Sequence, residues 1–181
     1  MSLNPNRPSI WVTVLCCVAV FVTSLEVRAA PSKDALAAAM VYRITKFVSW
    51  PETAFTSPDA TFNICFDQAD EVYTGLKRSK LKRWQGREVQ VKADFSGQCH
   101  VAVHGKGAGS QPSPLVNQLA PSETHMHRLT ISQQGDFLES GGHVALDFSS
   151  GRLIFRVNRT SARQAGLEFS SDFLNLAAEV K

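Results

Sequence analysis

The chain has 181 residues, with 19 Lys and Arg against 16 Asp and Glu, a formal net charge of +3 at pH 7. A balance so near neutrality argues against nucleic acid as the main partner, and the length suits one domain with a sizeable core. A strongly apolar start, with two of the four cysteines behind it, points instead towards export.

Arg7 gives a positive beginning, and Ile10 to Leu25 is an apolar run of sixteen residues broken only by Thr13, Thr23 and Ser24. That is short for a membrane span and right for a signal-peptide core. Val27-Arg28-Ala29 places aliphatic or small residues where a signal peptidase needs them, so cleavage is predicted after Ala29. Leu15 precedes Cys16, where a lipoprotein signal wants a small residue, which argues against lipidation at Cys16 or Cys17. The predicted organisation is a cleaved signal over 1–29 and one periplasmic domain over 30–181. No later apolar run is long enough to span a membrane, which predicts a soluble mature chain.

Along that chain, Lys33 to Val48 has the spacing of an amphipathic helix, with Leu36, Met40, Ile44, Phe47 and Val48 inward and Ser32 or Asp34 as its cap. Trp50-Pro51 stops it. Thr61 to Phe66 reads as a strand, and Glu71 to Leu81 as a helix with Val72, Leu76 and Ser79 inward. Gly86 breaks the chain before a strand at Glu88 to Lys92. Val101 to Val103 is a buried strand, followed by a Gly-, Ser- and Pro-rich loop from Gly105 to Pro114. Leu115 to Ala120 is a helical turn or two, Arg128 to Ile131 a strand, and Asp136 to Glu139 a short helix. Val144 to Phe148 and Leu153 to Val157 form a hairpin about Ser149-Ser150-Gly151. A short helix spans Ser161 to Gly166, and a last helix Ser171 to Val180 with Phe173, Leu174, Leu176 and Ala177 inward. Strands alternating with helices predict an α/β fold: a single three-layer domain, its mixed, mostly parallel sheet flanked by helices and carrying an antiparallel C-terminal hairpin.

Few residues point to chemistry. Cys65 and Cys99 remain after cleavage, and a pair in an oxidising compartment is a disulfide by default, closing a loop of about 35 residues worth roughly 3–4 kcal/mol. Two buried free thiols, or a redox-sensing bridge, are the alternatives. His125 and His127 would share a face if extended, but no carboxylate or cysteine completes a metal set with them or with His100 and His104. Gly105 to Ser110 lacks the spacing of a phosphate-binding loop, and no nucleophile elbow is present. Lys77, Arg78, Lys80, Lys82, Arg83 and Arg87, with Trp84 among them, read as a solvated face, or as a contact for anionic headgroups or an acidic partner. Phe148, Phe155 and Phe169 are mostly core by alternation. Arg156 lies on the opposite strand face from Phe155, towards solvent or a partner.

Lys46-Phe47-Val48-Ser49-Trp50-Pro51 and the block from Gly141-Gly142 to Ala177 carry a further signal. Within that block stand Asn158, Ala162, Gly166-Leu167, Ser170-Ser171 and Leu174-Leu176-Ala177, and Cys99-His100 opens a central strand before it. Together these residues resemble the YfiR family of bacterial periplasmic proteins, from about Val41 to the last helix. The resemblance implies a non-enzymatic adaptor without a cofactor. It would bind the periplasmic domain of an inner-membrane, YfiN-type diguanylate cyclase, or another sensor, and keep cyclic di-GMP low. An outer-membrane OmpA-like lipoprotein would be a second partner, and a homodimer is left open. The face of the hairpin and last helix is the expected contact, with His143, Phe148, Arg156 and Glu168 as candidate residues. A small-molecule sensor or solute-binding protein is the alternative, its pocket expected at the carboxyl ends of the parallel strands.

Overall fold

A computed structural model describes residues 30–67, 70–79, 81–105, 126–149 and 151–181. The predicted signal over 1–29, the loop beyond Gly105 and the helical turns at Leu115 to Ala120 lie outside the described residues. No helix among them is long and apolar enough to cross a membrane.

Helix α1 spans Lys33–Thr45. The Ser32 hydroxyl accepts from the Ala35 N–H at 3.1 Å, and Asp34 and Arg43 stand at the ends where the helix dipole favours them. Its buried stripe is Ala37, Ala38, Val41 and Ile44, while Leu36 stays at the surface. The expected Leu36–Met40 stripe is rotated because the small side chains face α2 (Glu71–Arg78): a Cβ on Gly75 would lie 3.1 Å from that of Ala38. The helix also ends before Val48. Val48–Ser49 is instead strand β1, paired antiparallel with β9 (Glu168–Phe169), and this tertiary pairing overrides the helical spacing.

Strand β2 (Phe62–Phe66) is buried throughout. Asp70 caps α2 through the Tyr73 N–H at 2.8 Å. Ser79, expected inside, is an exposed C-cap whose N–H bonds Gly75 and whose hydroxyl bonds Leu76, so α2 stops short of Leu81. Strands β3 (Arg83–Trp84) and β4 (Arg87–Lys92) form a tight hairpin over Gln85 and Gly86, at φ 45° and 85°. Then follow β5 (Val101–His104), β6 (Leu129–Ser132), β7 (Val144–Ser149) and β8 (Arg152–Val157). Between β6 and β7 the expected helix at Asp136 to Glu139 is a run of turns. It closes through Gly141 at φ 90° and Gly142, where any Cβ would enter the Phe137 ring.

Helix α3 (Arg159–Gln164) is capped by Asn158, whose side chain accepts from Ser161 at 2.9 Å. Helix α4 (Ser171–Leu176) is shorter than the sequence suggests. The chain leaves it to form β10 (Glu179–Val180), because β8 offers an open edge that Ala178 and Lys181 bond through the Phe155 and Val157 carbonyls. Leu176, expected inside, is therefore 70% exposed.

The sheet has eight strands in the order β10-β8-β7-β6-β5-β2-β4-β3. Strands β7, β6, β5, β2 and β4 run parallel; β8 is antiparallel to β7 and β3 to β4, while β10 runs parallel with β8. One face carries Phe62, Ile64, Val101, Leu129, Ile131, Val144, Leu146, Phe155 and Val157, and all four described helices contribute to the core over it. The other face carries Cys65, Ala102, Thr130 and Ala145, with Phe137 and Leu138 packed on Ala145. The result is a mixed, mostly parallel α/β domain.

Candidate functional site

The amino ends of β2 and β5 gather an aromatic cluster. Phe62 opens β2 and stacks on Trp84 at 4.2 Å between centroids. Trp50 meets both rings edge-on, at 5.3 and 5.2 Å. The Trp84 indole donates to the Thr45 carbonyl at 3.1 Å, fastening β3 to the end of α1. The Trp50 indole donates to the His127 carbonyl at 2.9 Å. Pro51 then turns the chain so that Phe55 returns onto His100, with centroids 4.8 Å apart.

His100 lies between Phe55 and Phe62 and is 2% exposed. Its Nδ1 accepts from the Asn63 N–H at 3.0 Å, and its Nε2 lies 3.2 Å from the Ala54 carbonyl. Both ring nitrogens are thus engaged in the neutral form. Burial pushes its pKa down to about 4, and the positive charges of Arg87, Lys92 and Arg128 add to that. His143 repeats the arrangement two strands along the sheet, ahead of β7. It is 5% exposed, its Nδ1 accepts from the Thr130 N–H at 3.1 Å, and its own N–H reaches the Thr130 hydroxyl at 3.0 Å. Burial lowers it to about 4 as well. Each histidine precedes a strand, and its ring holds the N–H of the second residue of the neighbouring strand; each is a brace and not a free base.

Cys65 and Cys99 form a disulfide with Cα atoms 5.9 Å apart, tying β2 to the segment that leads into His100. The expected pairing is the one observed.

Outside the cluster opens a groove of about 570 Å³ lined by Trp50, Glu52, Phe55, Thr56, Ser57, Pro58, Gln85 and Arg87. Arg87 lies flat on Phe55, 3.9 Å from its centroid, and donates to the Ser57 and Ala60 carbonyls at 2.9 and 3.1 Å. This groove sits at the amino ends of the parallel strands. Phe55 carries no periodicity in its Pro-flanked segment, and nothing in the sequence couples it to Arg87. The basic run marked Arg87 as a charge alone.

The four candidate contacts do not share one face. His143 is interior. Phe148 stands on the core side of β7, with the Lys33 ammonium 5.8 Å from its ring centroid. Arg156 is on the other side, as alternation predicts, but its guanidinium donates to the Gly135 carbonyl at 3.0 Å and lies 3.7 Å from Glu179. Glu168 is exposed in the β1–β9 ribbon and bonds Arg163 at 3.0 Å.

Fold and site define a disulfide-bridged α/β domain with neutral, braced histidines and an aromatic groove at one end of its sheet. The YfiR/HmsC-like family model matches residues 34–178, and the chain belongs to that family, whose members are regulatory proteins rather than enzymes. Comparison with curated proteins gives no match.

Proposed function

We propose that this protein is an exported, periplasmic regulator that represses a membrane-anchored diguanylate cyclase by binding the cyclase's periplasmic domain. The observation that carries the reading is the family match over residues 34–178. The Cys65–Cys99 bridge fits an oxidising compartment, and the leader over 1–29 fits export. Repression by binding requires a higher affinity for the inactive cyclase, and each 1.4 kcal/mol of preference shifts its population about tenfold. Sequestration by an OmpA-like outer-membrane lipoprotein would relieve the block.

The test is cellular cyclic di-GMP in a deletion strain, complemented with the whole chain or with one lacking residues 1–29. High cyclic di-GMP in the deletion, corrected only by the exported form, is the expected result. An unchanged level in all strains overturns the reading. The groove favours a second reading, a small-molecule sensor, which a ligand-dependent rise in melting temperature would support.

A further inference from the structure

The basic side chains of the domain differ in whether a carboxylate answers them. Arg156, Arg163 and Lys181 each lie within 4 Å of a carboxylate, on Glu179, Glu168 and Glu139 respectively. Lys46, Lys82, Arg83 and Arg87 make no such pair among the described residues. All four stand close to Trp84 along the chain or across the hairpin, with Arg87 on the Trp84 face of that hairpin and Arg83 on the other. Lys46 follows Thr45, which receives the Trp84 indole; Lys82 and Arg83 lead into Trp84; and Arg87 lies across the hairpin as the register partner of Trp84. Arg83 folds over the hairpin turn to the Gly86 carbonyl at 3.1 Å, and Arg87 roofs one wall of the groove. Glu52 in the groove, Asp59 between the Ser57 and Ala60 carbonyls that Arg87 bonds, and Glu88 opposite Arg83 are the nearby acids, and among the described residues none comes within ion-pair distance of these cations.

We propose that this end of the sheet is a docking surface for an acidic face of a partner protein, with one apolar side chain of that partner seated in the groove between Trp50, Phe55 and Arg87. A flat positive patch would suit a lipid surface equally. The aromatic-walled groove within it is shaped for an anchoring side chain, while cations about it orient a carboxylate-bearing partner and speed its arrival. The arrangement rests on the regulatory reading above and assigns its contact to the amino end, away from Arg156.

The experiment places two variants in the complemented deletion strain. Lys82→Glu/Arg83→Glu reverses two exposed charges, and Thr56→Trp fills the groove without changing charge. Arg152→Glu, at the hairpin end of β8, is the control. With melting temperatures and periplasmic levels unchanged, both test variants should raise cyclic di-GMP to the level of the deletion, and the control should repress as the parent does. Full repression by both test variants, with the parent repressing, overturns this docking surface and leaves the regulatory reading intact. A parent that fails to repress removes both. Purified parent that pellets with phosphatidylglycerol vesicles, and loses this in Lys82→Glu/Arg83→Glu but not in Thr56→Trp, overturns the protein partner in favour of a membrane.

Discussion

Acid should unfold this protein through two histidines. In the folded chain His100 and His143 are both held at a pKa of about 4 by burial, against an ordinary value of 6.5. In the unfolded chain both regain that ordinary value, so between the two values the unfolded state takes up protons that the folded state refuses. Their contribution is fully present above about pH 6.5 and is lost as pH falls towards about 4. One pKa unit is worth about 1.4 kcal/mol, so each histidine forfeits about 3 kcal/mol at that point and the pair about 6. A domain of this size has about 5–15 kcal/mol in all. The geometry agrees with the direction, because a proton on Nδ1 of either ring would face the N–H that it now accepts.

Urea unfolding at several pH values between about 7 and 4 measures the effect, and His143→Asn isolates half of it. The asparagine oxygen can still accept from the Thr130 N–H, but it does not titrate. The variant should start less stable at neutral pH and then lose about 3 kcal/mol less than the parent on acidification. Asp94 and Glu139, both held below their usual range by hydrogen bonds to Ser96 and Lys181, also lose stability as pH falls, but equally in both proteins. A variant with the parent's pH dependence between about 6.5 and 4.5 would refute the reasoning.

Replacing both Cys65 and Cys99 by serine releases a loop with a sequence separation of 34, which should cost about 4 kcal/mol in urea unfolding under oxidising conditions. Under reducing conditions the difference should vanish. Gly166→Ala should lower stability by about 2 kcal/mol, since Gly166 sits at φ 75° and a Cβ there would lie 2.7 Å from the His127 ring. Adding His127→Ala should recover the clash and leave the backbone strain. Arg156→Ala should cost about 1 kcal/mol, from the bond to Gly135 and the pair with Glu179. The sequence suggests a freely exposed arginine, so an unchanged urea midpoint would favour that simpler picture.

The elements legible in the sequence are those whose signal is local. The apolar run at Phe62 to Phe66, the alternation in the Val144 to Val157 hairpin, and the cap Ser32 all act within a few residues of themselves. The misread ones are decided by partners far away. Val48–Ser49 is a strand because Phe169 lies beside it, and Glu179–Val180 is a strand because β8 has a free edge. No period in those segments distinguishes them from the ends of helices. The stripe of α1 turned for a similar reason: Gly75 admits alanines closely, and hydrophobic spacing alone favours the bulkier Leu36.

The residues that carry the family resemblance are, in large part, explained by the fold itself. Trp50 ties the β1 segment to His127, and His127 in turn bonds the Ala165 carbonyl beside Gly166. His100 braces β2, Asn158 and Ser170 cap helices, and Gly142 makes room for Phe137. A motif made of such braces identifies the scaffold, and a scaffold alone does not select a partner. Selection then falls to residues outside the motif that reach the surface beside it. Lys82 and Arg83 meet that description, exposed beside the braced cluster while leaving its interior untouched. Charge reversal there can therefore change what the protein binds without changing what it is.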